Sequence, residues 1–431
     1  MSNNNFYSCE DLQESVFLGP DEIRTCCKRF FHEGELRGDV VLLKTSDVEQ
    51  PTANLILEAK NKLIENINKG IKTDCSGCPW LRKDSWDKLD KLVIKHISFE
   101  THSVCNLKCT YCSDKYYGGQ KPNYSVKGLI EELIEGDVLT DCDSVVWGGG
   151  EPLMDKAFID LFQDVTKRIN PQHNNIFSNA VIFDQKIAEQ LAAGNCTMVT
   201  SIDAGTPETY NMVRGEKHFY TALKNLEKYA EFGVGNLTLK YILTDGNHSP
   251  EEVISFCREI DKRPILKGAS FQISSDFKHD ALALEEVRSI LNMFQGLRLI
   301  GVRNVFIDDH VSPRINKYIS SNLDLVMKEL GEVIADPRAL DRVIVWGAGQ
   351  YARRALENSI FFRHAQVEFF VDSDPLKQGG DLDGVPIKSP LSIQENSYPI
   401  YIATSGFQTQ ILDDIGRMNV DLSRVIKKLV I

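Results

Sequence analysis

The sequence contains no run of about eighteen apolar residues, so nothing in it reads as a membrane-spanning helix. Its first residues, MSNNNFYSCEDLQE, lack the basic stretch and apolar stretch of a secretory signal, and the expected compartment is the cytoplasm. There is no internal repeat and no low-complexity tract. Lys and Arg form no block, and with a net charge of −12 the chain offers no phosphate-tracking surface, which excludes nucleic acid as an expected partner. A reducing compartment also leaves little scope for disulfides among the 11 cysteines; an odd number clustered at metal-ligand spacings points to metal or cluster chemistry instead.

What is present divides into three textures, as expected for a chain of 431 residues. Residues 1–90 are loop-rich and hold Cys9, Cys26, Cys27, Cys75 and Cys78 around one amphipathic helical stretch, NLILEAKNKLIENINKG. Residues 91–312 alternate short apolar runs (LVIKHISFE, SVVWGG, NNIFSN, TMVTSID, LTLKYIL, ASFQIS) with amphipathic helices. Such alternation over six units predicts an α/β fold with a parallel sheet, closed or partly closed as a barrel, with the site at the carboxyl ends of the strands. A helical linker over 313–340 leads to a small α/β unit, 341–431.

Three cysteines follow the first apolar run of the middle segment in HSVCNLKCTYC: Cys105, Cys109 and Cys112. Three thiolates are one ligand short of a closed zinc site or cubane cluster. Read from the residues alone, they either fold around an iron–sulfur cluster, bind zinc with a distant histidine such as His96 or His102, or are unrelated buried thiols. The C-x3-C-x2-C spacing with Tyr111 before the last cysteine resembles the cluster loop of the radical S-adenosylmethionine (SAM) enzymes.

That resemblance implies a [4Fe-4S] cluster on Cys105, Cys109 and Cys112, whose fourth iron is chelated by SAM. WGGGEP resembles the family's GGE motif and implies that Gly149, Gly150 and Glu151 meet the methionine amino group. FSNA places Asn179 where relatives often have a polar residue facing the cofactor. SIDAGTPETYNMVRG resembles a stretch of the subgroup with SPASM or twitch auxiliary-cluster domains, with Ser201 and Arg214 as contacts to carboxylate and ribose; Ala204 stands where that subgroup usually has Gly. Asp203 is a candidate catalytic group and equally a candidate helix cap. Lys240, from the fifth strand, is a second candidate catalytic group, and Gln272 and Ser274 are pocket candidates from the sixth.

The resemblance further implies reductive cleavage of SAM to a 5′-deoxyadenosyl radical, hydrogen abstraction from a small-molecule substrate, and an external electron donor such as flavodoxin or ferredoxin. The N-terminal cysteines resemble an auxiliary module, with four of Cys9, Cys26, Cys27, Cys75 and Cys78 holding a second [4Fe-4S] cluster; in the subgroup that module follows the barrel, and Cys75-x2-Cys78 also suits zinc. In the last segment VWGAGQYA sets Gly347, Gly349 and Ala352 after a strand, with Asp372 ending the next, a nucleotide-binding pattern or a degenerate scaffold. It resembles small Rossmann-like domains of sugar-modifying enzymes, which implies a nucleotide-linked sugar or surface-polysaccharide precursor undergoing epimerisation, oxidation or elimination. A peptide-modifying maturase and a non-catalytic zinc-binding interaction protein are the alternatives.

Overall fold

The computed structural model describes residues 5–112, 117–331, 333–336, 338–404, 408–426 and 428–429. The chain forms two compact units, Met1–Leu239 and Lys240–Ile431. Among the described residues no helix is long and apolar enough to cross a membrane.

Strands of the first unit are β1 (Asn5–Ser8), β2 (Ser15–Leu18), β3 (Glu22–Arg24), β4 (Arg29–His32), β5 (Glu35–Gly38), β6 (Val41–Lys44), β7 (Arg82–Ser85), β8 (His96–Phe99), β9 (Ser144–Trp147), β10 (His173–Phe177) and β11 (Thr197–Ser201). Its main sheet has the order β11-β10-β9-β8-β2-β3-β6. The strands β8 to β11 are parallel and each is followed by a helix, because short β-branched and aromatic runs cannot bury both faces until helices cover them. The α/β class with a large parallel sheet is thus the fold observed.

The N-terminal segment is stitched into this sheet. β2 lies parallel to β8 in the register Ser15↔His96 to Leu18↔Phe99, and β3 and β6 continue antiparallel beyond it. Arg24, only 4% exposed at the end of β3, donates to Asp39 (3.1 Å) and to Glu100, the residue that follows β8. Ring packing fixes the two strands that lead into the glycine and cysteine loops. Trp147 of β9 stacks on Phe99 of β8 at 4.3 Å and takes Phe158 and Phe162 edge-on from the helix Phe158–Ile169. Each such aromatic pair is worth about 0.5–1.5 kcal/mol beyond its buried area.

The strand β12 (Leu237–Leu243) carries the chain from the first unit into the second. There β13 (Ser270–Ser275) pairs parallel with β14 (Asn304–Ile307), and the helices Pro250–Asp261 and Leu284–Leu299 precede them. The terminal sheet comprises β15 (Arg342–Trp346), β16 (Gln366–Val371), β17 (Asp381–Leu382), β18 (Val385–Lys388) and β19 (Ile400–Ile402) in the order β17-β18-β16-β15-β19. Alternate residues of β15 serve opposite faces, as the two-residue period requires. Val343 and Val345 pack with Ala352 and Phe361, whereas Ile344 and Trp346 pack with Ile411 and Ile415.

Candidate functional site

Every motif of the middle segment falls at the carboxyl end of a parallel strand. The cysteine loop leaves β8, the triple glycine leaves β9, Ser178 and Asn179 leave β10, and Ser201 ends β11. Their loops are tied to one another through backbone hydrogen bonds. Gly150 N–H donates to His102 O (2.8 Å) and Glu151 N–H to Val104 O (2.8 Å); Lys108 N–H donates to Arg214 O (3.1 Å) and Thr110 N–H to Val213 O (2.9 Å). Close approach explains why glycine is needed after β9. A Cβ on Gly150 would stand 2.2 Å from the carbonyl oxygen of Val104, inside any tolerable contact.

Cys105, Cys109, Cys112, Gly149, Gly150, Glu151, Ser178, Asn179, Ser201 and Arg214 line a single cleft of about 170 Å³. Glu151, 1% exposed, joins two strand ends: its carboxylate accepts from Asn179 N–H (2.7 Å), the Ser178 hydroxyl (2.9 Å) and Leu153 N–H (3.3 Å). Burial raises the Glu151 pKa, and the Asn179 amide and Ser178 hydroxyl pull it back. The Asn179 side chain donates to Asn106 Oδ1 at 2.6 Å and lies 3.9 Å from Cys105 Sγ. Burial raises the Cys105 thiol. A hydrogen bond with Cys112, then the charge of Arg214, bring Cys109 down to about 7 against its burial.

Asp203 is fully buried, in a left-handed conformation with φ of 58°. Its Oδ2 accepts from Tyr111 Oη (2.6 Å) and from Arg214 Nη1 (2.9 Å), and Arg214 also contacts the Tyr111 hydroxyl. Thr206 is the cap of the helix Pro207–Arg214, accepting from Thr209 N–H at 3.2 Å. Asp203 is thereby left to fix the guanidinium at that helix's last residue. The role of Tyr111, Ser178 and Asn106 was not legible from the motifs; the aromatic position before Cys112 was the one available signal.

In the second unit Lys240, Gln272 and Ser274 converge on an acid the sequence reading missed. Asp308 Oδ2 accepts from Lys240 Nζ (3.2 Å), Gln272 Nε2 (2.7 Å) and Ser274 Oγ (3.0 Å), and its Oδ1 lies 2.8 Å from His310 Nδ1. Burial by itself would raise Asp308, but Lys240 and the His310 hydrogen bond overcome it and hold the carboxyl well below its usual range. Asp308, Asp309 and His310 bring three ligand atoms within 4.8 Å of one another, yet Lys240 and Arg354 already supply cations there. The signal that could have found Asp308 is its place directly after the apolar run NVFI.

The C-terminal glycine loop is also organised by an acid. Gly347 has φ of 107°, and a Cβ on it would meet Ala403 O at 2.7 Å. Asp372, after β16, accepts from Ala348 N–H (2.9 Å) and Lys377 Nζ (3.2 Å). Gly349 is the residue before the helix Gln350–Asn358, and Ala352 is buried in it.

Comparison with known proteins agrees with the middle segment. Residues 99–260 match the radical SAM superfamily, and residues 339–426 match a family described as C2185-like, N-terminal. A GTP 3′,8-cyclase of Vibrio vulnificus (strain YJ016) is 28% identical over 174 residues, 39% of this chain and 52% of that protein. The mycofactocin maturase MftC of Mycobacterium ulcerans (strain Agy99) is 31% identical over 157 residues, 35% and 40% of the two chains. The chain spans about half the length of the curated relatives it matches, or less. Among solved structures, Streptococcus suis SuiB bound to S-adenosylmethionine aligns over 61% of this chain and 64% of its own with 14% identity and a TM-score of 0.40. Native anSMEcpe with bound AdoMet and Cp18Cys peptide aligns over 49% and 62% with 20% identity and a TM-score of 0.37. The three-cysteine loop, the glycine turn and the Ser201–Arg214 stretch all lie inside the first match, and residues 99–260 form a radical SAM domain.

Proposed function

We propose that the protein is an enzyme that holds a [4Fe-4S] cluster on Cys105, Cys109 and Cys112 and SAM in the adjoining cleft, and that it abstracts hydrogen from a nucleotide-linked sugar or surface-polysaccharide precursor. The observation that carries the reading is the single cleft that collects three thiols, Glu151, Asn179 and Ser201 from four separate strand ends and Arg214 from the helix after the last of them. The donor set suits the group: three thiols leave one cluster position for a ligand from outside the chain. When bound, the cluster supplies the electron that cleaves the sulfonium bond of SAM to a 5′-deoxyadenosyl radical, with reduction by an external donor such as flavodoxin or ferredoxin.

The chain's own residues then divide as follows. Glu151 presents a buried anion to the methionine ammonium, held in place by Asn179 and Ser178. Arg214 presents its guanidinium to the carboxylate, and Ser201 a hydroxyl, as a planar donor fork requires. Asp203 is a positioning residue in this reading, because its Oδ2 already accepts from both Arg214 and Tyr111. Lys240 is held by Asp308 and offers a positioned ammonium to an anionic substrate group.

The substrate class draws support from two sides. The curated relative named as a GTP 3′,8-cyclase acts on a nucleotide, and the terminal sheet counts, in order of its parallel strands, 3-2-1-4, the first four places of the doubly wound nucleotide-binding order. The similarity to a maturase favours the second reading, modification of a peptide. A second iron–sulfur cluster in the N-terminal segment, in the manner of the auxiliary-cluster subgroup, belongs to the same proposal.

The test is anaerobic incubation of the reduced, iron-reconstituted chain with SAM. Formation of 5′-deoxyadenosine that disappears in the Cys105/Cys109/Cys112→Ala variant is the expected result. A chain that binds zinc, takes up no iron and yields no 5′-deoxyadenosine overturns it.

A further inference from the structure

Four of the five N-terminal cysteines meet in space although they are spread over about seventy residues. Cys9 immediately precedes the short helix Glu10–Glu14, Cys26 follows β3, and Cys75 and Cys78 share a turn closed by Cys78 N–H to Cys75 O at 3.1 Å. Cys9, Cys26 and Cys75 pack in one cluster with Leu12 and Val40, and the Cys78 thiol acts electrostatically on both Cys9 and Cys75. Cys27 is exposed and lies outside this packed cluster; its charged neighbours are Glu100, Arg24 and Asp39, then Asp11.

Several features around the four thiols suit thiolates. Backbone N–H groups are aimed at the sulfurs, from Leu12 to Cys9, from Lys28 to Cys26 (3.2 Å), and from Trp80 and Leu81 to Cys78. A neutral thiol is a weak acceptor, so such donors serve a sulfur that carries charge. Lys60 adds a cation. It is fully buried, and its Nζ donates to the carbonyl oxygens of Asp11 (3.3 Å), Leu12 (3.0 Å) and Ser15 (2.7 Å) and to Thr25 Oγ1 (2.9 Å), with no carboxylate among these partners. Burial lowers the Lys60 pKa to about 7, and Asp11 first, then Cys9, Cys26 and Glu14, pull it back up. A buried ammonium is costly without a counter-charge; Asp11 supplies one, and thiolates at Cys9 and Cys26, which burial disfavours in the unligated chain, would add to it once a metal cluster held them. Lys28 is a second cation on the same side, paired with Asp11 at 2.6 Å.

The spacing argues against a single zinc ion. A single tetrahedral zinc ion, with Zn–S of about 2.3 Å, holds its sulfurs about 3.8 Å apart. Among the described residues, no three cysteine sulfurs lie within 4.8 Å of one another; the set that does is Asp308, Asp309 and His310. A cubane cluster binds each thiolate at a different iron and therefore needs the wider arrangement.

The location follows from the strand register. β2 runs parallel to β8, with Leu18 beside Phe99 at the end that leads to the Cys105 loop. The helix that follows Cys9 ends directly before Ser15, and Thr25 Oγ1 donates to Asp11 O (2.8 Å) and Ser15 O (3.3 Å), which places Cys26 at the start of β2. The two thiol sets therefore lie at opposite ends of two adjacent strands.

We infer that Cys9, Cys26, Cys75 and Cys78 form a closed four-thiolate site for a second iron–sulfur cubane, at the amino end of the sheet, with Cys27 excluded and no coordination position left for SAM or substrate. The inference rests on the proposed function for the chemical identity of its occupant; the ligand set and its position rest on the residues themselves.

The full-length chain carrying Cys105/Cys109/Cys112→Ala, reconstituted anaerobically, is the direct test. About four irons and four sulfides per chain are expected to remain, with a reduced-cluster electron paramagnetic resonance signal that added SAM leaves unchanged. Cys27→Ser in that background is expected to alter neither, and Cys26→Ser to lose or convert the cluster. Zinc in place of iron, a signal shifted by SAM, or loss of iron on Cys27→Ser each overturns the inference. Should the triple variant not fold, the unmodified chain answers the same question: about eight irons with SAM altering the spectrum of only one cluster support it, and about four irons overturn it. In the unmodified chain, failure of SAM cleavage while the roughly four irons that survive Cys105/Cys109/Cys112→Ala are present sinks the proposed function and leaves this site standing.

Discussion

Two loops of this protein share a pattern, glycines after a parallel strand with a buried or half-buried acid beside them, and use it in different ways. After β9 the acid, Glu151, ties the loop to the next strand end through Asn179 N–H and Ser178, and beside it the cleft carries three thiols and Arg214. After β15 the acid, Asp372, turns onto the glycine loop itself and occupies Ala348 N–H, a donor that a phosphate would need. A glycine pattern therefore establishes close backbone approach, while the partner of the nearby carboxylate decides whether a donor is left for a ligand.

Removing carboxylates tests that contrast, and the largest effect is expected at Asp203. Asp203→Ala leaves Arg214 as a buried charge without its ion-pair partner, which costs about 3–5 kcal/mol. A shift of the denaturation midpoint of that order, with loss of SAM binding, is the expected result; an unshifted midpoint would show that Tyr111 alone can hold the guanidinium.

A smaller effect is expected at Glu151. Glu151→Gln turns an amide donor toward Asn179 N–H or the Ser178 hydroxyl, at a cost of about 1–3 kcal/mol for the group left unsatisfied. SAM affinity, measured by titration calorimetry, is expected to fall with it, because the anion facing the methionine ammonium is gone. Equal affinity in the two proteins would remove Glu151 from the ligand contacts.

The smallest effect belongs to the terminal loop. Asp372→Ala removes the acceptor of two backbone N–H groups, Ala348 and Asp374, and of Lys377 Nζ, each at the low end of about 0.5–1.5 kcal/mol because the group is partly solvated. 5′-Deoxyadenosine formation is expected to be unchanged, and the freed Ala348 N–H makes the loop a better anion site, so weak nucleotide binding that improves in the variant would sharpen the comparison. Binding that is lost instead would make Asp372 a ligand contact.

Much of the radical SAM domain was legible in the sequence because its motifs are local. Three cysteines within eight residues can share one loop whatever surrounds them, and the apolar runs before each motif announced the strand ends on which they sit. Arg214 was legible as a fork for a carboxylate, but its hold on Asp203 and Tyr111 was not, since it depends on the left-handed turn at Asp203 and on the cysteine loop folding back over the helix end. The convergence of Lys240, Gln272 and Ser274 on Asp308 was hidden for a similar reason. Each residue alternates onto one face of its own strand, but only lateral strand pairing brings the faces together.

The N-terminal segment shows the division most sharply. The Cys75-x2-Cys78 spacing determined that those two cysteines share one turn, and the helical period of Ala53–Asn68 determined that Lys60 belongs to one face of that helix. Only the tertiary structure decided that Cys9 and Cys26, but not Cys27, join them. β2 had to pair with β8, and β3 to return along β2, before residues so far apart in the chain could stand around one point. Local spacing sets which atoms can share a loop, whereas contacts between distant segments depend on register and on burial of charges such as Lys60, and neither is written in any short stretch of sequence.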